Sequence, residues 1–269
     1  MTDHNPITPP CSVPGPFTSL RDFMTALKSR GQVMEVSGLD QDAYEATAFM
    51  YRLIDKLGWA EAPAVVFSNI KANGRWHEGP VIGNQYGRWE ADGLCFGIEP
   101  NIDEQYKTYH QVLKKLESLA GAEQQWEEIQ PIEVQTENAP CKEVCILGKD
   151  IRLSDFPFLQ TNPADAGPYI TTGSVILEDP ERGRNVGTYR CQIKGDRKIA
   201  INPEKGQHGW TFLMDMKKRG ESSAKVAIVL GTDPITFSMS SSKTTRLGQD
   251  ELAVAGGFLG APIDVVKCE

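Results

Sequence analysis

About half-way along this chain the apolar residues change their period, and that change limits the fold more than any single motif. Up to Leu119 they recur at helical spacing. Leu20, Phe23, Met24 and Leu27 form one stripe, with Ser19 and Asp22 placed as a capping box and Gly31 as a stop. Ala46, Phe49, Leu53 and Leu57 form a second within 42–57, closed by Gly58, and Tyr106, Tyr109, Val112, Leu113 and Leu116 a third over 103–119. Short apolar runs at 32–36, 64–67 and 80–84 read as strands between these helices. The stretch 121–140 is polar and rich in Glu and Gln, which suits a boundary or a long connection. After it come strand-like runs at 144–147, 169–177, 186–193, 199–201 and 226–230, joined by Gly, Pro and Asp turns. One helix is expected over 210–219 and a weaker one over 250–259, interrupted by Gly256 and Gly257. The pattern predicts an α+β protein with an extended, proline-rich tail over 1–18, an α/β layer over 19–125 and a mainly β unit over 126–269.

A length of 269 residues buries a substantial core, and 40% hydrophobic with 24% charged residues excludes a disordered or fibrous chain. The net charge of -8 argues against a nucleic-acid partner, which calls for a surplus of lysine and arginine. No run approaches the roughly 18 apolar residues of a membrane span, and the N-terminus lacks a basic start and apolar core, so a cytoplasmic protein is expected. Cysteines at 11, 95, 141, 145, 191 and 268 are scattered and read as free thiols. The histidines at 4, 77, 110 and 208 are far in sequence from Cys141 and Cys145, which argues against a structural zinc site.

Chemistry concentrates in 185–208. β-Branched and aromatic residues run from Asn185 to Ile193, Gly195-Asp196-Arg197-Lys198 makes a turn, and Ile199-Ala200-Ile201 resumes the apolar pattern. Asn185, Arg190, Gln192 and His208 are carried by or lie beside this hairpin, a set that suits the mouth of a sheet or barrel. A solvated strand face accounts for the same residues. Strict alternation puts Asn185 and Arg190 on opposite faces of one strand, and a bulge at Gly187 is the expected device for re-aiming them into one cavity.

From about Ala139 onward the sequence resembles the UbiD family, the reversible decarboxylases that use prenylated flavin mononucleotide (prenylated FMN). The resemblance is carried by Asp150–Leu153, Gly167-Pro168-Tyr169-Ile170-Thr171-Thr172-Gly173, Asp179-Pro180-Glu181 and Asn185-Val186-Gly187-Thr188-Tyr189-Arg190. It continues through Gly231-Thr232-Asp233-Pro234, the helix from Glu251 and Val265-Val266-Lys267-Cys268, and Pro80-Val81-Ile82-Gly83-Asn84 fits the family's N-terminal half. It implies that Asn185, His208 and Glu251 hold a divalent metal, Mn2+ or Mg2+, that also meets the cofactor phosphate. Amide oxygen, imidazole and carboxylate are suitable ligands for such an ion. Arg190 matches an arginine that grips the substrate carboxylate through two parallel donors. Thr188, Tyr189, Arg190, Gln207, His208, Ser241 and Ser242 are the positions expected against the cofactor. The loop 240–244, where K+ is often bound in the family, is rich in Ser and Thr here and commonly contains proline in relatives.

The implied fold is an N-terminal α/β layer followed by an incomplete flavin-reductase-like split β-barrel. Family members continue well past Cys268, through further barrel strands, two glutamates of an acid network and an oligomer-forming domain. The expectation is therefore a fragment, a chain completed by a partner, or a short subunit with another task, in a homo- or hetero-oligomer. The implied reaction joins an aromatic, heteroaromatic or α,β-unsaturated carboxylic acid to the modified flavin, releases CO2 and protonates the product. A non-catalytic flavin-binding or scaffolding subunit, or a flavin-dependent oxidoreductase, remain the alternatives.

Overall fold

The computed structural model describes residues 15–121 and 125–269. Most of the expected tail lies outside these residues, but its last part packs into the core: Phe17 is buried, its ring 5.8 Å from that of Phe23. Helix α1 (Leu20–Ser29) starts as its capping residues dictate, the Ser19 hydroxyl accepting from the Asp22 N–H at 3.1 Å. Strand β1 (Val33–Ser37), helix α2 (Glu45–Leu57) and strand β2 (Ala64–Ser68) follow. A hairpin of β3 (Ile70–Ala72) and β4 (Arg75–His77) leads into β5 (Val81–Gly83), helix α3 (Trp89–Cys95) and helix α4 (Gln105–Leu119). The sheet order is β1-β2-β5, with β1 and β2 parallel and β5 antiparallel to β2. Helix α1 packs with α3 through Phe23, Ala26, Leu27, Ala91 and Leu94, while α2 and β2 share a second cluster around Val65, Phe67 and Ile70.

Beyond the polar connection come β6 (Ile132–Glu133), β7 (Tyr169–Ile170), β8 (Ser174–Asp179), β9 (Gly183–Thr188), β10 (Cys191–Gly195) and β11 (Lys198–Ile201). They are followed by α5 (His208–Lys218), β12 (Val226–Val229), α6 (Pro234–Ser241), α7 (Glu251–Leu259) and β13 (Asp264–Val265). Two antiparallel sheets result, in orders β12-β8-β9 and β11-β10-β7, with β6 and β13 paired in parallel at the side. Among the described residues no helix is long and apolar enough to cross a membrane.

Three expectations need correction. Residues 144–147 form no strand; Val144, Ile146 and Leu147 are exposed instead. The run 186–193 is not one strand, because the chain leaves β9 at Thr188, turns through Tyr189 and Arg190, and enters the other sheet as β10. Nor is there a bulge at Gly187, which pairs with Val175 in unbroken register; the irregularity lies between Ile193 and Gly195. The change of sheet, rather than a bulge, separates the setting of Asn185 from that of Arg190.

Candidate metal and cofactor site

Strand β9 and the N-termini of α5 and α7 meet at one place. Asp250 caps α7 by accepting from the Leu252 N–H at 2.9 Å, which puts Glu251 in the first helical turn, and Arg184 ties that cap to β9 through a 2.9 Å bond to Asp250. Two residues further along β9, the Val186 N–H donates to Glu251 Oε2 at 2.8 Å. The Thr245 hydroxyl donates to Oε1 at 2.7 Å. His208 opens α5 with Nδ1 3.6 Å from Glu251 Oε1, too long for a hydrogen bond but less than twice a metal–ligand bond of about 2.1 Å. Asn185, 2% exposed, sends Nδ2 to the Tyr189 hydroxyl at 3.4 Å, and the same oxygen accepts from the Gly209 N–H at 3.0 Å. The far end of α5 is held to the β8–β9 turn by Arg182 on Asp215 and Arg219 on Asp179, which fixes the direction in which the helix carries His208.

Asn185, His208 and Glu251, expected as ligands, are thus drawn together through Val186, Tyr189 and Gly209. The electrostatics suit a cation. Glu251 is 3% exposed and, among the described residues, has no lysine or arginine paired with it. Burial pushes its carboxyl up, while the Val186 and Thr245 bonds and His208 pull the other way. A buried carboxylate is costly without a compensating charge, and a divalent ion between Glu251, His208 and the Asn185 amide oxygen would supply one. Among the described residues no three His, Cys, Asp or Glu side chains gather around a metal, so the set depends on the amide.

The other expected residues are placed less uniformly. Arg190 stands exposed at the corner between β9 and β10, and among the described residues no acid pairs with it. Thr188 is half-buried at the end of β9, its hydroxyl 3.0 Å from that of Ser240, which lies 3.1 Å from that of Ser174. Gln207 precedes His208 and accepts from the Glu204 N–H at 2.6 Å. Ser241 belongs to the last turn of α6 and bonds back to the Phe237 carbonyl, while Ser242 caps the helix and pairs with Thr244. The stretch expected as a loop from Ser240 therefore begins as helix. Tyr189 is buried, with its hydroxyl committed to Asn185 and Gly209. The sequence does not show Thr245 and Tyr189 as supports of Glu251 and Asn185, because their bonds depend on the loop before α7 and on the turn at Tyr189–Arg190 rather than on any strand or helix period.

The family model described as 3-octaprenyl-4-hydroxybenzoate carboxy-lyase Rift-related domain, UbiD, matches residues 132–269, which include Asn185, His208 and Glu251. The chain belongs to the UbiD family. Phenolic acid decarboxylase of Sedimentibacter hydroxybenzoicus is 28% identical over 262 residues, which cover 94% of this chain and 50% of that protein. Among UbiD-class structures, the vanillic acid decarboxylase of the same organism (ShVdcCD) in closed form matches with a TM-score of 0.76 and 26% identity, over 94% of this chain and 51% of that one. An evolved dimeric form of HmfF from Pelotomaculum thermopropionicum, in complex with prFMN, matches with a TM-score of 0.75 and 28% identity, over 94% and 53%. The mixed α/β fold is shared with these UbiD-class enzymes. This chain spans about half the length of the curated relatives it matches.

Proposed function

We propose that this chain carries the metal and flavin site of a non-oxidative carboxy-lyase acting on an aromatic, heteroaromatic or α,β-unsaturated carboxylic acid. The observation that carries the reading is the buried Glu251 carboxylate, held by Val186 and Thr245 and facing His208, with no lysine or arginine paired with it among the described residues. Membership of the UbiD family and similarity to a phenolic acid decarboxylase and to an enzyme solved with prFMN support it. In this reading Asn185, His208 and Glu251 hold Mn2+ or Mg2+, and Thr188, Arg190, Gln207, Ser241 and Ser242 face the cofactor, with K+ near 240–244. When bound, prenylated FMN would supply the electron sink for the pair left on the substrate carbon when CO2 departs. Arg190, free of acid partners among the described residues, offers two parallel donors that orient the substrate carboxylate.

The proton for the product comes from elsewhere. Glu251 is committed to the ligand set, and Asp250 caps α7 and pairs with Arg184. We place the donor in the part of the relatives' length that this chain does not span, supplied by the rest of the protein or by a partner chain. The same part is proposed to complete a split β-barrel from the two antiparallel sheets of 126–269, with 19–125 as an accompanying α/β unit. The test is anaerobic purification of the full-length protein from cells that make prenylated FMN, followed by metal analysis and a CO2 assay over a panel of aromatic acids. Stoichiometric metal and CO2 release without an electron acceptor are expected, and both are lost in Glu251→Ala. Turnover that requires an electron acceptor would replace the lyase with an oxidoreductase.

A further inference from the structure

Resting on the reading of Asn185, His208 and Glu251 as metal ligands, we propose that Tyr189 is the positioning residue of that set: its hydroxyl turns the Asn185 amide so that oxygen, not nitrogen, faces the ion. Tyr189 is then a support behind the metal rather than a contact of the flavin.

The argument starts from the amide. Asn185 offers one oxygen and one NH2, and only the oxygen has a lone pair free to bind a hard cation; the NH2 hydrogens would repel it. A buried asparagine must therefore be told which way to turn. The side-chain hydrogen bond of Asn185 runs from Nδ2 to the Tyr189 hydroxyl oxygen at 3.4 Å, and among the described residues Oδ1 accepts none. With Nδ2 spent on Tyr189, Oδ1 is the end left for the ion.

The phenol is suited to that task because it cannot drift. Its ring lies between Gly187 and Gly209, and a Cβ on either would stand 2.3 Å and 2.5 Å from the Tyr189 hydroxyl oxygen, so both backbones pack directly on it. The Gly209 N–H donates to the same oxygen at 3.0 Å. Gly209 follows His208 and Asn185 precedes Tyr189 by four residues on β9, so a single oxygen sets the spacing between the elements that carry two of the three ligands. The corner at Tyr189–Arg190, where the chain changes sheets, is what lets the ring fold back over β9.

The test separates amide orientation from general support. Asparagine at 185 must be oriented; aspartate, with oxygen at both ends, need not be. Mn2+ affinity is measured by titration in four full-length proteins prepared metal-free: the parent, Tyr189→Phe, Asn185→Asp and the double variant. Phenylalanine keeps the ring between the two glycines and removes only the hydroxyl. Loss of an outer partner of a metal ligand typically costs about 10- to 100-fold in affinity, and that loss is expected for Tyr189→Phe with Asn185 in place. In the Asn185→Asp background the same change is expected to cost less than about threefold, the rest of its effect being common to both backgrounds. Thermal unfolding of the metal-free proteins registers general support: Tyr189→Phe strands the Gly209 N–H in both backgrounds and Nδ2 as well where asparagine stands, so a somewhat larger loss of stability is expected with Asn185 in place. An equal fall in affinity in both would reduce Tyr189 to a structural residue and overturn the proposal, as would unchanged affinity in Tyr189→Phe. A parent protein that binds no Mn2+ would instead overturn the metal reading beneath it.

Discussion

Gly209 occupies the first turn of α5, where alanine would ordinarily be the better helix former by about 1 kcal/mol. Here the helix preference is outweighed by the ring behind it. A Cβ at Gly209 would stand 2.5 Å from the Tyr189 hydroxyl oxygen and 2.8 Å from the ring carbon that bears it. That oxygen is held by Asn185 as well, so relief requires moving a buried aromatic away from its partners. Overpacking of this kind costs about 1–3 kcal/mol, so Gly209→Ala is expected to lower stability in urea titration. An increase in stability would mean that the ring is free to move. At this scale the proposed ligands Asn185, His208 and Glu251 are singled out by their order in the chain and the family they resemble. The glycine pair and the phenol between them were not, since their relation exists only once the chain has turned back at Arg190.

Helix α7 shows how an element can be read correctly and weighed wrongly. Gly256 and Gly257 look like interruptions, yet the helix runs unbroken from Glu251 to Leu259 and is buried on all sides over its first six residues. The glycines mark where another backbone passes. A Cβ at Gly257 would lie 2.0 Å from the Glu127 carbonyl oxygen, and one at Gly256 2.6 Å from that of Ile129, whose N–H donates to the Ala253 carbonyl at 3.0 Å. Gly257→Ala is therefore expected to destabilise by at least about 2 kcal/mol despite its better propensity, because backbone cannot yield as a flexible side chain can. Thermal unfolding checks this, and a raised midpoint would show that 127–129 does not lie against α7. Other elements were legible where one principle dominated, as in α1 with its Ser19 cap and α2 with its closing Gly58. They were hidden where signals mixed. Helix α6 is Ser- and Thr-rich but is started by the Asp233 cap and Pro234, α3 contains Asp92 and Gly93, and the alternation of 186–193 gives no sign that the chain changes sheets at Tyr189.

Across the whole molecule, the expected boundary at 121–140 divides the sequence but not the packing. Tyr86 stacks on Phe23 at 5.6 Å and on Phe237 of α6 at 5.1 Å, and Phe96 meets Phe258 of α7 at 6.2 Å. On another side Gln41 donates to the Gln160 carbonyl at 2.9 Å, and Arg75 pairs with Asp155 at 2.6 Å. Beside the Tyr86 stack, the two parts bring acids into the interior. Asp92 of α3 and Asp233 at the cap of α6 both bear on the buried Cys95 thiol and help to push it up, after burial itself. Burial also raises Asp233, against its bonds to Thr236, and pushes Asp92 up to about 6 from 3.8. The Asp92 carboxyl has no hydrogen-bond or ion-pair partner among the described residues. A raised acid binds its proton more tightly in the folded than in the unfolded chain, so stability falls as pH rises through the window between the two values, about 4 to 6, and stays reduced above it. The shift corresponds to at most about 3 kcal/mol, less whatever solvent screening recovers. Asp92→Asn removes the titration while keeping the shape. Its stability relative to the parent is therefore expected to improve by up to about 1.4 kcal/mol between pH 5 and pH 7.5, nearly all of the change falling below pH 7. Urea unfolding of both proteins across that range measures the difference, in which groups common to the two cancel. A difference that does not vary with pH would mean that Asp92 keeps an ordinary carboxyl and that the junction beside Cys95 is open to water.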